Sequence, residues 1–164
     1  MEHVEELALA FFREVVEPTV REFLADPADK RRGCLACLAL AGMTEHYFHA
    51  SSDLAQGGKP RLTALKGELR RENAAIGWIA DVANATKHVE RPEKRGNRIG
   101  YGDVATLVTN QCGVIRAGWP LGGKEVVVGS ECEWLLSELV GETMRFWRGK
   151  LNLVAPGDVP AYPA

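Results

Sequence analysis

The sequence predicts a mainly α-helical protein, an up-and-down four-helix bundle with a small antiparallel β insertion before the last helix. Three observations lead to this prediction. Long segments repeat apolar residues every three or four positions, which is the spacing of one helix face. A glycine-rich stretch at about 103–129 contains short β-branched runs. The loops between the first three helical segments are short, so neighbouring helices should run antiparallel.

The first two helices are predicted from apolar periodicity and from the positions of prolines. The first runs from about residue 2 to residue 24, and Pro18 should kink it because proline lacks a backbone N–H. Asp26 and Pro27 predict the next start, with Asp26 as the N-cap and proline at the first helical position. The second helix should then continue to about residue 53.

The second half of the chain contains the other two helices and the β insertion. The third helix is predicted over about 62–89, and Ser130 and Glu133 have the spacing of a capping box that starts the last helix. Between these helices we expect a two- or three-stranded meander, formed by the runs 104–109, 113–116 and 125–128. The buried stripe of the last helix should consist of Leu136, Val140, Met144 or Thr143, Trp147 and Leu151.

Length and composition fit one globular domain over residues 1–154, followed by an extended or disordered tail over 155–164 with three prolines. Of the 164 residues, 46% are hydrophobic and 26% are charged, and the net charge of -2 gives no general attraction to nucleic acids or anionic membranes. The longest uncharged apolar run is too short to span a bilayer, and the acidic start lacks a signal peptide's basic region. We therefore expect a cytoplasmic protein without membrane contact.

Two side-chain clusters could bind a metal. Cys34 and Cys37 form a Cys-x-x-Cys pair, but zinc would need a second pair, so buried core residues are the favoured interpretation and redox or metal use the alternative. His46 and His49 share a helix face with apolar residues and should point inward as a hydrogen-bonded pair. The alternative is that both bind a metal together with bundle carboxylates. No cofactor is predicted.

A polar cluster marks the end of the third predicted helix. At ~100° per residue, Asp81, Asn84 and His88 fall within roughly 60° of one another. They should therefore point away from the apolar face, toward water, a symmetric partner or a ligand. Since His88 is placed opposite the start of the second helix, it should lie more than ~20 Å from His46. The histidine pair and the polar cluster should then be separate sites.

The same cluster carries a family resemblance. Asn84 followed by Lys87 and His88 resembles the end of the third helix in HEPN-like proteins, whose active members carry Arg, usually a polar residue, three more residues and then His. Aligned on His88, the polar position is Asn84 and the Arg position is Ala83. The resemblance implies a HEPN-like fold and a homodimer. In active members the Arg and His of two protomers resemble a composite ribonuclease site. Ala83 therefore implies a non-catalytic or degenerate member, in which any remaining activity would be ribonuclease-like at His88.

A basic loop follows the polar cluster. Cations near a helix end can contact phosphates, and Tyr101 could stack on a base, although the loop could also serve only solubility. The predicted nucleic-acid-binding residues are Lys87, His88, Arg91, Lys94, Arg95 and Arg98.

These observations favour a HEPN-like domain that binds RNA or a cognate protein partner, as in a toxin-antitoxin or defence pair. A metal-binding bundle that uses His46 and His49 and a purely structural interaction module are the alternatives.

Overall fold

The computed structural model describes residues 2–51, 56, 58–88, 99–108, 123–129 and 134–153. It is mainly helical, with a small three-stranded antiparallel sheet before the last helix. This part of the predicted fold class is confirmed. Several element boundaries differ from the prediction, and these differences determine where the candidate site lies.

The first helical segment continues through Pro18 by changing its hydrogen-bond pattern. Helix α1 covers Glu2–Phe11, a π-helical segment covers Phe12–Val16, and α2 covers Glu17–Ala25. The N–H of Glu17 bonds to the carbonyl of Phe12. Proline cannot donate the usual helical bond and its ring crowds the preceding turn, and a wider turn just before it accommodates both effects.

Helix α3 covers Lys30–Ala50 and starts later than predicted. Its N-cap is Asp29, whose side chain accepts a hydrogen bond from the Arg32 backbone N–H at 3.1 Å. Asp26 instead opens a turn in which its carbonyl accepts from the Asp29 N–H at 3.1 Å. Pro27 occupies the second position of that turn, where its fixed φ is favourable. The prediction of Asp26 as the N-cap was wrong. Both aspartates are chemically suitable N-caps, and the sequence alone did not distinguish them.

The third predicted helix is two helices in the structure. Helix α4 covers Gly58–Glu72 and α5 covers Ala74–Lys87. Asn73 between them has extended backbone angles, and its side chain accepts a hydrogen bond from the Ala75 N–H at 2.8 Å. It therefore acts as the N-cap of α5. The prediction of one continuous helix was wrong at this residue.

The sheet contains β1 (Val104–Val108), β2 (Lys124–Val128) and β3 (Trp134–Leu135), in the order β1-β2-β3. Both pairings are antiparallel, and Val104 lies opposite Val128. The predicted run at 113–116, the predicted capping residues Ser130 and Glu133, and the tail at 155–164 lie outside the described residues. The sheet is held to the turn before α3 by a 2.9 Å hydrogen bond from the Val126 N–H to the Pro27 carbonyl.

Helix α3 is the centre of the fold, because it contacts α1, α2, α4, α5 and the last helix, α6 (Leu136–Lys150). The predicted stripe of α6 is confirmed through Trp147, while Leu151 is half-buried just beyond the helix end. The largest fully buried side chains include Phe12, Phe23, Leu40, Met43, Leu69, Ile79, Leu136 and Trp147.

Gly33 allows side chains of α2 and α6 to pack directly on the backbone of α3. A Cβ atom at this position would lie 2.8 Å from Cδ2 of Leu136 and 3.0 Å from Cε2 of Phe23, and both side chains are fully buried. A Cβ at Gly67 on α4 would meet nothing within 4 Å. The two glycines are therefore matched sites for the same substitution, one crowded and one open.

We expect Gly33→Ala and Gly67→Ala to change stability in opposite directions. Overpacking at Gly33 should cost about 1–3 kcal/mol, which exceeds the gain of roughly 0.5–1 kcal/mol that alanine brings to a helix interior. Gly67→Ala should show the gain alone. Urea unfolding of both variants measures the two changes, and a Gly33→Ala protein as stable as the wild type would contradict the packing described here.

Candidate functional site

A cleft of about 190 Å³ lies between α3, α4 and α5, with one residue of α6 contributing to its lining. Its apolar wall includes Leu40, Ile76 and Ile79, and its polar residues include Asn84 and Lys87. Two residues that the sequence predicted as candidates therefore line the same cleft. The other polar groups of the lining come from helices that the sequence did not connect with this site.

Three cations face the cleft, and two of them make ion pairs. Nζ of Lys66 lies 3.0 Å from Oε1 of Glu45, which also lines the cleft. Nη2 of Arg70 lies 3.3 Å from Oδ1 of Asp81. Lys87 makes no ion pair within the part of the chain that the structure describes. The hydrogen bond from Lys66 is the main cause of a lowered pKa of Glu45, and Lys87 is close enough to contribute.

The position of Lys87 bears on the predicted separation of the two clusters. The prediction placed His88 more than ~20 Å from His46 because it assumed one straight third helix. The break at Asn73 brings the end of α5 beside the second half of α3, so Glu45 and Lys87 line one cleft. Glu45 and Lys87, which are next to His46 and His88 in the sequence, therefore lie closer together than the predicted geometry would allow.

The predicted polar stripe of α5 is also wrong in part. Asp81 is 1% exposed and contacts Arg70 inside the protomer. Asn84 is half-buried in the cleft lining, while His88 is exposed and lies just after the helix end, with extended backbone angles. The reason is that α5 contacts α3, α4 and α6, so its buried surface covers more of its circumference than one apolar stripe.

Two buried threonines lie on the same cleft. Thr44 of α3 is 6% exposed, and Thr143 of α6 is 1% exposed. Oγ1 of Thr143 is buried and has no hydrogen-bond partner among the described residues. Buried hydroxyls are nearly always paired in native proteins, so this group indicates a place where a ligand could supply an acceptor. Ala83, at the HEPN-like Arg position, is a buried part of the apolar lining.

The two candidate metal ligands do not point inward. His46 and His49 are both exposed, and the His46 ring stacks on Phe11 with centroids 3.8 Å apart. The His49 ring meets Phe48 edge to face. The inward prediction failed because the buried face of α3 runs through Leu40, Met43 and Phe48, which leaves both histidines outside it. No group of three metal-binding side chains forms among residues whose placement is described.

Cys34 and Cys37 are buried and free, which confirms the prediction that they belong to the core. Burial raises the pKa of Cys37 well above its usual range, and the neighbouring Cys34 raises it further. A redox cysteine needs a stabilised thiolate, so this environment does not favour redox chemistry.

The basic loop is described only at its edges. Lys87 and His88 are exposed at the end of α5, while Arg91, Lys94, Arg95 and Arg98 lie outside the described residues. Tyr101, predicted to stack on a base, is 46% exposed, and Nζ of Lys30 lies 3.8 Å from its ring centroid. One face of that ring is therefore already covered by a cation.

A second cleft of about 580 Å³ lies near Tyr47, Ser51 and Lys150. It is larger, but Lys150 is held by Glu72 at 2.6 Å. The smaller cleft is the better candidate because it combines predicted polar residues with an unpaired buried hydroxyl.

Sequence reasoning missed Lys66, Arg70 and Thr143. Lys66 and Arg70 are four residues apart and therefore share a helix face, which is a signal that the sequence contained. Thr143 appeared only as an alternative to Met144 in the apolar stripe of the last helix. Its hydroxyl could be recognised as unpaired only after the packing was known.

No protein-family model, curated protein or solved structure matches this chain. The HEPN-like resemblance thus stays a prediction based on Asn84, Lys87 and His88. Within the described helices, none is long and apolar enough to cross a membrane.

We expect Arg70→Met to destabilise the protein more than Arg71→Met. Arg70 contacts the buried carboxylate of Asp81, and removal of one partner from a buried charged group should cost about 1–3 kcal/mol, allowing for the partial exposure of the guanidinium. Arg71 is exposed and its Nε donates to the Gly67 carbonyl on its own helix, so its loss should cost less than about 0.5 kcal/mol.

Thermal and urea unfolding of the two arginine variants measure this difference. The double variant Arg70→Met/Asp81→Asn should recover part of the loss, because the buried charge is removed together with its partner. Equal stability of the two single variants would show that the Arg70–Asp81 pair does not stabilise the fold.

Proposed function

We propose that this protein is a non-catalytic RNA-binding domain, with a HEPN-like helical bundle, that contacts RNA phosphates at the end of α5. The observation that carries the proposal is the convergence of Lys66, Arg70 and Lys87 on one cleft beside Asn84. Phosphate contacts require local positive charge rather than a basic chain as a whole. The net charge of -2 is compatible with such a local site.

The charges of the cleft support phosphate binding over binding of a cation. Among the described residues, three cationic side chains and one carboxylate, that of Glu45, line it, and Asp81 makes an ion pair with Arg70. Lys87 is the cation with no ion pair among the described residues, so phosphate contact would not require breaking such a pair. His88 is exposed next to Lys87 but is not part of the cleft lining.

The absence of a cation at Ala83 supports binding without cleavage. Cleavage of a phosphodiester develops negative charge that a cation must stabilise, and a histidine alone supplies only proton transfer. Ala83 is 2% exposed within the apolar lining. Lys87 and Arg70 face the cleft, whereas His88 lies beyond the helix end.

A cognate protein partner, as in a toxin-antitoxin or defence pair, is the other binding function considered for this domain. The exposed large apolar side chains that are described include Leu7, Leu35, Leu107 and Trp134, and they belong to different elements. Protein interfaces usually bury a contiguous core of such residues. The three cations that line the cleft are the observation that supports RNA over a protein partner.

We expect the purified protein to bind single-stranded RNA in a salt-dependent manner and Lys87→Ala to weaken this binding. Loss of one phosphate contact should reduce the slope of log K against log salt by about 0.7. Lys124→Ala is the matched control, because Lys124 is an exposed lysine on β2 outside the cleft. Fluorescence anisotropy at several salt concentrations measures both variants.

The same samples also test the non-catalytic part of the proposal. Gel analysis should show intact RNA after incubation, with no difference between the wild type and His88→Ala. Absence of salt-dependent binding, or equal binding by Lys87→Ala and Lys124→Ala, would reject the proposed RNA site. Cleavage that disappears in His88→Ala would instead identify a ribonuclease.

The homodimer is a separate proposal, supported by the HEPN-like resemblance and by the exposure of His88 at the end of α5. We expect light scattering at micromolar concentration to give twice the chain mass. His88→Glu should shift the protein toward monomer by placing like charges together, and His49→Glu, an exposed histidine on α3, should not. A monomeric wild type would reject the dimer.

A further inference from the structure

We propose that the cleft between α3, α4 and α5 holds a phosphomonoester group at the end of an RNA strand. This inference rests on the RNA binding proposed above and specifies which part of the RNA enters the cleft. Its basis is the combination of a small volume, converging cations and buried hydroxyl groups at one place. Two of the three cations, Lys66 and Arg70, lie on α4, outside the basic loop.

The size of the cleft limits what can enter it. Its volume of about 190 Å³ is below the range of roughly 300–1,000 Å³ that is usual for pockets enclosing whole small molecules. It can therefore take one chemical group rather than a complete cofactor. An internal phosphodiester carries a nucleotide on each side, whereas a terminal phosphate carries one and can extend further into a narrow space.

Charge also favours the terminal group. A phosphomonoester carries about -1.5 to -2 charges at pH 7 and offers three oxygens as acceptors, whereas an internal phosphodiester carries one charge. Lys66, Arg70 and Lys87 face the cleft from two helices and can donate to several oxygens at once. Charge-assisted hydrogen bonds of this kind are the stronger ones in proteins.

A buried hydroxyl in the lining is the third observation. Thr143 is 1% exposed, lies in the lining, and its Oγ1 has no hydrogen-bond partner among the described residues. A phosphate oxygen accepts hydrogen bonds and would provide that partner. Thr44, also nine-tenths buried, is the second hydroxyl of the lining. Of the two threonines, Thr143 is the one whose hydroxyl is unpartnered among the described residues.

The experiment compares RNA oligonucleotides of one sequence that carry a 5′-phosphate, a 3′-phosphate or only hydroxyl ends, with binding measured by fluorescence anisotropy. At least one phosphorylated form should bind about tenfold more tightly than the hydroxyl form. The 5′ and 3′ forms identify which end is recognised. Inorganic phosphate used as a competitor shows whether the phosphate alone is sufficient.

Three variants assign the preference to the cleft. Thr143→Val replaces the hydroxyl by a methyl group of similar size, so it should leave stability unchanged or slightly raised while reducing the preference for a phosphorylated end. Glu45→Gln removes an exposed negative charge beside Lys66 and should increase the preference. Lys124→Ala, outside the cleft, should have no effect on it.

The outcomes separate this inference from the proposed function. A preference that Thr143→Val reduces in a stably folded protein supports a phosphomonoester site. Equal binding of all three RNAs, weakened by Lys87→Ala, would overturn the inference and leave RNA binding intact. A preference unchanged in both Thr143→Val and Glu45→Gln would place the phosphate elsewhere and overturn it as well. No RNA binding at all would overturn both.

Discussion

The hydrogen bond from the Ala75 N–H to the side chain of Asn73 determines where the cationic residues meet. It ends α4 and starts α5 at a single residue, so the chain changes direction in the middle of what would otherwise be one helix. Helix α5 can then lie along α3, and Lys87 comes close to Glu45. A continuous helix would separate these residues, and Lys66, Arg70 and Lys87 would not share a cleft.

The ion pairs around the cleft limit its attraction for anions. Lys66 is engaged by Glu45, and Arg70 by the buried Asp81, so an incoming phosphate competes with carboxylates already in place. The two pairs differ in kind. Glu45 is exposed and its pair with Lys66 is easily exchanged, because such surface pairs contribute only about 0–1 kcal/mol. Asp81 is buried, so Arg70 cannot leave it without a larger penalty.

The pKa of Glu45 gives a direction for the dependence of this pair on pH. The hydrogen bond from Lys66 lowers that pKa, so the carboxyl stays ionised to a more acidic pH in the folded state than in the unfolded state. Its contribution to stability is present above the unfolded pKa and is lost as the pH falls through the folded pKa. Because Glu45 is largely exposed, that contribution is small, and near neutral pH the pair mainly sets the charge of the cleft.

Structural features that a local sequence pattern determines were predictable, whereas features that depend on how the helices pack were not. The stripe of α6 follows from periodicity and is confirmed through Trp147, and the predicted burial of Cys34 and Cys37 is also confirmed. Asn73 could not be placed, because asparagine interrupts a helix only weakly and apolar residues continue on both sides. Asn84 and Lys87 were found from their spacing, but their neighbours in the cleft depend on how three helices meet.

The dependence on helix packing also explains why the environments of His46, His49 and Thr143 were not predicted. His46 and His49 share a sector of the helical wheel with apolar residues, yet the packing of α3 leaves them exposed. Thr143 is embedded in an apolar stripe, and there the pattern correctly predicts burial but says nothing about its hydroxyl.

Trp147, one turn further on α6, has a buried Nε1 that is also unpaired among the described residues. An unpaired buried donor costs about 1–3 kcal/mol, so a helix that keeps such groups sacrifices stability. For Thr143, which lines a cleft with three cations, a bound anion would recover that loss; for Trp147, the structure suggests no such compensation.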